Sequence, residues 1–348
     1  MAIPTQMHGV ILTGHGDYDR LQWREDLPVP KPRCGEVLIR VAAAAVNNTD
    51  LNTRKAWYSK RDGAAADASW SGSPIVFPRI QGIDACGVIV AVGEGVDSGR
   101  LGERVLVEPC LWEMGGETLD QPGFLGSECD GGFAQYLAVA ARHAFRIDSD
   151  LSDLELASFP CSYSTAENML LRAQAGADDV VLITGASGGV GSAAVQLARA
   201  RGARVIAVCG AGKAESLRQL GADQVLDRTA NVPDALAAAQ VDVVIDLVGG
   251  PHWPHWLDAL KRGGRYAVSG AIAGAQVTLD LRMLYLRDLR FFGCTVLEPE
   301  VFPALLKRIE AGTVRPVIAA EYALQDIVTA QRDFERKRGV GKIVLRVA

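Results

Sequence analysis

The 348-residue chain reads as an α/β protein, a doubly wound parallel sheet joined to a mainly antiparallel, barrel-like β domain. Three observations predict this. From residue 180 onward, short β-branched runs alternate with helical stretches, the pattern of a sheet wound on both faces. Before residue 150 the chain offers β-rich runs divided by Pro- and Gly-bearing connections instead. At the start of the second pattern lies a glycine-rich turn, Gly185-Ala186-Ser187-Gly188-Gly189-Val190-Gly191, between a strand and a helix.

The first half is justified run by run. Residues 7–12, 37–44, 87–92 and 104–107 are the strand candidates. Pro28, Pro30 and Pro32 precede Gly35-Glu36-Val37-Leu38-Ile39-Arg40-Val41, a proline-braked entry into a strand. In the second half the strand candidates are residues 180–184, 204–208, 224–226, 241–248, 265–269 and 290–294. After the glycine turn, Val190, Ala194 and Leu197 recur at helical spacing, and Arg199, Arg201 and Gly202 form a helix stop. Gly188 and Gly191 would let the backbone approach a pyrophosphate seated at that helix N-terminus, where free N–H groups favour anions. Residues 303–312 read as an amphipathic helix, and Gly341 onward as a last strand returning to the first domain. The expected division is a catalytic domain over 1–150, completed by 296–348, and a dinucleotide-binding domain over 151–295.

Composition narrows the function. A formal net charge of -5 gives no basic footprint for nucleic acid. No apolar run reaches the length of a membrane span, and the first residues lack a charged region followed by an apolar one, so neither membrane nor signal peptide is expected. The seven cysteines, at 34, 86, 110, 129, 161, 209 and 294, fit reduced thiols in a cytoplasm better than a disulfide framework.

The stretch Val46-Asn47-Asn48-Thr49-Asp50-Leu51, taken with the glycine turn, carries a resemblance that spans nearly the whole chain. It extends through Gly93-Glu94-Gly95-Val96, Gly102-Glu103-Arg104-Val105, Asp130-Gly131-Gly132-Phe133-Ala134-Gln135-Tyr136 and Gly341-Lys342-Ile343-Val344-Leu345. In that order these motifs resemble the medium-chain dehydrogenase/reductase superfamily of zinc alcohol dehydrogenases and zinc-free quinone oxidoreductases. The resemblance implies a Rossmann dinucleotide-binding domain beside a GroES-like catalytic domain.

The superfamily divides on zinc. Asn47 stands where the zinc branch has its first thiolate and Ile83 where it has its imidazole; only Cys161 falls at the third ligand position. One thiol cannot hold a catalytic zinc, which needs three protein ligands and an open position. Cys161 is expected as a small buried residue. Cys110 and Cys129 alone do not supply the four thiolates of a structural zinc, and His143 is expected to be structural. No metal is expected.

What remains resembles the zinc-free reductases, with Asn47, Asp50 and Tyr58 as the implied catalytic residues. Without a Lewis acid, a carbonyl is polarised by hydrogen-bond donors, which an amide or a phenol can supply. The alternative for Tyr58 is an aromatic wall shared with Trp57. Residues 59–74 are unusually long for this crossing and are read as a lid or as disorder.

For the cofactor, NAD-binding versions end the second strand with a carboxylate, and here the chain has Val208-Cys209-Gly210. With Lys213 and Arg228 as candidate 2′-phosphate contacts, the expectation is NADP(H); the alternative for both is a solvated surface charge. The resemblance adds Thr165 and Lys342 to Gly185, Ser187, Gly188, Gly189, Val190 and Gly191 as cofactor-binding residues, although Lys342 could instead only cover the pocket edge. Asp246-Leu247-Val248-Gly249-Gly250 and Ser269-Gly270-Ala271 end the fourth and fifth strands, so their backbones are expected to flank the adenosine and nicotinamide ends. Residues 290–294 look like an edge strand that relatives pair across a two-fold axis, so a homodimer is expected. The leading reading is a zinc-independent, NADPH-dependent enzyme passing hydride to a quinone, enone or other activated carbonyl compound. An alcohol dehydrogenase and a non-catalytic NADPH-binding protein are the alternatives.

Overall fold

A computed structural model describes residues 3–59, 69, 74–229, 235–236 and 241–347. The lid expectation over 59–74 thus lies almost wholly outside the described residues. The chain forms two compact units: Met1–Cys161 with Ile318–Arg338 and Lys342–Ala348, and Ser162–Val317 with Gly339–Gly341.

The second unit carries a six-stranded sheet. Its strands are β1 (Val180–Ile183), β2 (Arg204–Cys209), β3 (Gln224–Asp227), β4 (Val241–Asp246), β5 (Leu260–Val268) and β6 (Arg290–Gly293). Every pair is parallel, in the order β3-β2-β1-β4-β5-β6. The direction of winding reverses between β1 and β4, and in open α/β sheets ligands bind outside the strand ends at that point. Val181, Leu182, Ile183, Val243, Val244 and Ile245 are wholly buried, as apolar strands covered on both faces must be. Helix α1 (Gly189–Ala200) is buried from Gly191 to Ala198. It ends at Arg201, with Gly202 at positive φ beyond it, the stop that the sequence signals.

The expected boundary at 295/296 moves to 317/318, so the helix Val301–Glu310 belongs with the second unit. Side chains inside that unit hold the segment. Asn168 donates to the Val296 carbonyl at 3.1 Å and Arg172 pairs with Glu298 at 2.9 Å. The buried Gln196 donates to Tyr163 Oη at 2.9 Å and accepts from the Arg315 N–H at 3.0 Å.

In the first unit the long strand Glu36–Val46 is central. It pairs antiparallel with Asp84–Val92, Tyr136–Ala140 and Lys342–Arg346 along different parts of its length. Val37, Ile39, Val41 and Ala43 to Val46 are fully buried, and the small alanines let neighbouring layers approach closely. One pairing departs from the antiparallel expectation. Ile318–Ala323 runs parallel to Lys342–Arg346, with the helix Ile327–Arg336 supplying the crossover that a parallel pair requires.

The hairpin of Cys110–Met114 and Glu117–Phe124 is fastened by His143. The His143 Nε2 accepts from the N–H groups of Trp112 (3.0 Å) and Glu113 (3.2 Å), so Nδ1 carries the proton and donates to Glu108 at 2.7 Å. None of the seven cysteines, all among the described residues, is joined in a disulfide.

Candidate active site

Strand register assembles the first unit's polar cluster. Ala45 faces Asp84 across one edge of the central strand, and Val46 faces Ile343 across the other. Asn47 follows directly as the N-cap of the helix Asn48–Arg54, so Asn47, Asp84 and Lys342 meet at one sheet end. Asp84 is wholly buried and organises the rest. Its Oδ2 accepts from Asn47 Nδ2 at 2.8 Å and from Lys342 Nζ at 2.9 Å, and its Oδ1 accepts from the Cys161 N–H at 2.7 Å. Lys342 also donates to Asn47 Oδ1.

Asp50, on the first turn of that helix, accepts from the Asn47 N–H at 2.8 Å. Burial pushes its carboxyl up to about 7, with the Asp84 charge adding to the effect against the pull of the Asn47 N–H and the Lys342 ammonium.

Three expectations change here. Asn47 was expected to offer its amide to a substrate oxygen, but its Nδ2 protons go to Asp84 and, at 3.3 Å, to the Ala45 carbonyl. The amide is turned inward because a buried ammonium and a buried carboxylate both need it. Lys342, expected at the dinucleotide, commits its ammonium inside the first unit, with only 2 % of the residue exposed. Cys161 is half-buried rather than buried.

The hydroxyl pair brackets the same helix, with Thr49 in its first turn and Tyr58 in the turn after its end. Half-buried Tyr58 donates to Thr49 Oγ1 at 3.2 Å and lies 3.5 Å from Asn52 Nδ2. Thr49 was not singled out from the sequence. Its spacing of nine residues from Tyr58, one in the helix's first turn and the other past the helix end, is the signal that could have found it.

In the second unit the glycine turn has the expected form. Gly185 sits at φ +58, and a Cβ on Gly191 would come within 2.3 Å of the Gly185 carbonyl oxygen and 2.6 Å of Ala186 Cα. Gly188 caps α1, accepting from the Ser192 N–H at 2.8 Å, and Gly189 and Val190 open the helix. The Gly341 N–H donates to the Ser187 carbonyl at 2.9 Å, so the residue before Lys342 braces this turn.

Lys213 Nζ lies 3.4 Å from Ser187 Oγ, and burial pulls its pKa down, with the nearby Arg228 charge adding to the effect. Arg228 donates its backbone N–H to the Cys209 carbonyl at 2.7 Å, so the ends of β2 and β3 bring both cations to one place. The Asp227 carboxylate beside them is held by the Thr229 N–H (2.8 Å) and hydroxyl (2.6 Å).

Asp246, whose backbone but not whose carboxylate the sequence reading used, shapes the next loop. Wholly buried at the end of β4, it accepts from Thr184, from Tyr266 (2.6 Å) and from the N–H groups of Val248 (2.9 Å) and Gly249. The Ser269 N–H donates to the Asp246 carbonyl at 3.2 Å, and a Cβ on Gly270 would meet the Leu247 oxygen at 2.9 Å, so the two loops pack tightly. Thr165 lies half-buried on the helix Pro160–Arg172.

A doubly wound sheet with this glycine turn in one unit, and a carboxylate cluster in a mainly antiparallel other unit, define the two-part architecture of a dehydrogenase. Comparison with known proteins identifies the family. Residues 33–149 match the alcohol dehydrogenase GroES-like domain and residues 189–311 the zinc-binding dehydrogenase family. The chain is 31 % identical to an acryloyl-coenzyme A reductase of Metallosphaera sedula, over 97 % of this chain and 99 % of that one. It is 28 % identical to a quinone oxidoreductase of Lama guanicoe, over 97 % of each. A putative alcohol dehydrogenase from Sinorhizobium meliloti superimposes with a TM-score of 0.92 at 43 % identity, covering 99 % of this chain and 98 % of that one. The chain belongs to the medium-chain dehydrogenase/reductase superfamily of oxidoreductases.

The zinc of that superfamily's metal-dependent members can be tested against this donor set. Among the described residues no three His, Cys, Asp or Glu side chains group as metal ligands. Asn47 and Cys161 converge on Asp84, but a lysine ammonium stands among them, and its charge repels a divalent cation. The residues do not fit zinc.

Proposed function

We propose that the protein is a zinc-independent, NADPH-dependent oxidoreductase that reduces an enone, quinone or other activated carbonyl compound. The observation that carries this reading is the hydroxyl pair Tyr58–Thr49, with Thr49 in the first turn of the helix that starts at the buried carboxylate cluster and Tyr58 in the turn beyond its end. The dinucleotide, when bound, supplies a hydride with its electron pair and leaves as NADP+. Charge then builds on the substrate oxygen, and a neutral phenol can donate a proton to it. Tyr58 gives that proton and recovers one through Thr49. Asn47 and Asp50 act indirectly: Asp50 fixes the helix start and Asn47 fixes the cluster beneath it. Convergence of Lys213, Arg228 and the Ser187 hydroxyl supports NADPH over NADH, because a 2′-phosphate takes charge-assisted hydrogen bonds there. Thr165, Ser269 and Gly270 are assigned to the nicotinamide end. The relative named for acryloyl-coenzyme A, an α,β-unsaturated thioester, supports the enone class.

A screen of NADPH oxidation over quinones, enones and aldehydes, with metal content measured on the same sample, tests the reading. Tyr58→Phe should lower turnover roughly ten- to a thousandfold with NADPH affinity and Tm unchanged. Normal turnover by Tyr58→Phe, with loss of Tm in Tyr58→Ala, would make the ring a wall only. The 43 % identical Sinorhizobium meliloti protein, named a putative alcohol dehydrogenase, favours a second reading, oxidation of an alcohol with NAD or NADP. Alcohol-dependent reduction of the oxidised dinucleotide, with no turnover of enones or quinones, would establish it. The strand β6 is the edge of its sheet and Phe291 on it is 37 % exposed. We extend the proposal to a homodimer paired there, which light scattering at micromolar concentration checks.

A further inference from the structure

Among the described residues, Lys342 is the one cation in a cluster of two buried carboxyl groups, Asp50 and Asp84. Its side chain is 3 % exposed and that of Asp84 is wholly buried. The positions at which the superfamily's zinc ligands fall, 47, 83 and 161, surround the same carboxylate. Asn47 donates to Asp84, Ile83 precedes it in the chain, and the Cys161 N–H donates to it.

We propose that the Lys342 ammonium is the resident cation of this site, filling from within the chain the place that metal-dependent members give to zinc. The donor set suits an ammonium. A thiolate at position 47 would be a soft, anionic metal ligand. An amide instead presents an oxygen to the Lys342 N–H groups and its own N–H groups to Asp84, so it serves a cation and an anion at once. An ammonium also has three protons to place. Asn47 Oδ1 and Asp84 Oδ2 take two of them. Without this cation Asp84 would be a buried carboxylate beside a second carboxyl, an arrangement that low-dielectric surroundings penalise heavily. Asn47 for the thiolate and Lys342 for the metal are therefore one coupled exchange.

The test reads stability and metal content, and so stands apart from the proposed reaction. In Lys342→Ala the missing side chain leaves a small anionic hole bounded by Asn47 Oδ1 and Asp84 Oδ2. Its Tm should fall by several degrees. Ethylammonium chloride should restore much of that loss saturably, while sodium and tetramethylammonium chloride at equal ionic strength should not. The unaltered protein should gain nothing from ethylammonium. It should also retain no stoichiometric zinc after dialysis against an excess. Because Lys342→Ala alone can fail to fold, Lys342→Ala with Asp84→Asn is the companion: removing both charges should give a more stable protein than removing the ammonium alone. One zinc retained per unaltered chain, equal responses to the three salts, or a double variant no more stable than the single one would each overturn the proposal.

Discussion

The two units build their polar sites from different material. In the second unit the glycine turn is backbone: seven consecutive residues, a capped helix start and carbonyl-to-N–H contacts. In the first unit the cluster is side chain, and its members come from segments as far apart as Asn47 and Lys342. A backbone site fails when a side chain is added where none fits. A side-chain site fails when one charge is removed and its partner stays buried. Substitutions of each kind should therefore break one site and spare the other.

The largest effect is expected from Asp84→Asn, which leaves the Lys342 ammonium without its counter-charge. Breaking a buried pair from one side costs about 3–5 kcal/mol. Denaturant unfolding should show that loss, while dinucleotide affinity, measured on the folded fraction, should hold. Gly191→Ala is the mirror case. Its Cβ meets backbone atoms at 2.3 and 2.6 Å, so the turn itself must move. Overpacking of this sort costs roughly 1–3 kcal/mol, and dinucleotide binding should be lost with it. Gly191→Ala binding NADPH as tightly as the unaltered protein would remove the distinction.

Lys213→Ala sharpens the comparison within the second unit, since it removes one side chain from an otherwise backbone site. A lost charge-assisted contact, about 1.5–3 kcal/mol, should weaken NADPH binding roughly ten- to a hundredfold and leave NADH nearly unchanged. Fluorescence titration with both dinucleotides decides it.

The smallest effect concerns pH. Asp50 titrates near 7 in the folded protein, above the usual carboxylate value of 3.8. The folded state therefore holds a proton that the unfolded state releases, and the stability tied to that proton is complete below 3.8 and lost as pH rises through 7. Asp50→Asn cannot titrate, so its Tm deficit against the unaltered protein should shrink between pH 4.5 and 8. A deficit independent of pH would show that Asp50 keeps its charge when buried.

The same contrast governs what could be read without a structure. The turn Gly185 to Gly191, the helix behind it and all six strands of the second sheet are local patterns, and each appears where the residues put it. Strand ends differ by a residue or two, except that β5 starts at Leu260, five residues before the expected 265; β4 stops at Asp246 because that carboxylate is needed to tie down the loop beyond. Asp84 and Lys342 were not legible as partners, since 258 residues separate them and only the register of three strands brings them together. Without that pairing Asn47 looked like a donor awaiting substrate. The helix Val301–Glu310 was assigned to the wrong unit for a similar reason, because what holds its segment is a set of long-range contacts through Asn168, Arg172 and Gln196.

The position of Lys342 in the chain sets a timetable for biosynthesis. The ammonium leaves the ribosome 295 residues after the amide it binds, with the whole dinucleotide-type unit made in between. At synthesis rates of about 5–20 residues per second, that is a delay of roughly 15–60 s. Throughout it the nascent first unit holds Asp84 without the ammonium that pairs with it. A chain truncated before the strand Lys342–Arg346 would stay in that state, lacking both the ammonium and the edge pairing of the central strand.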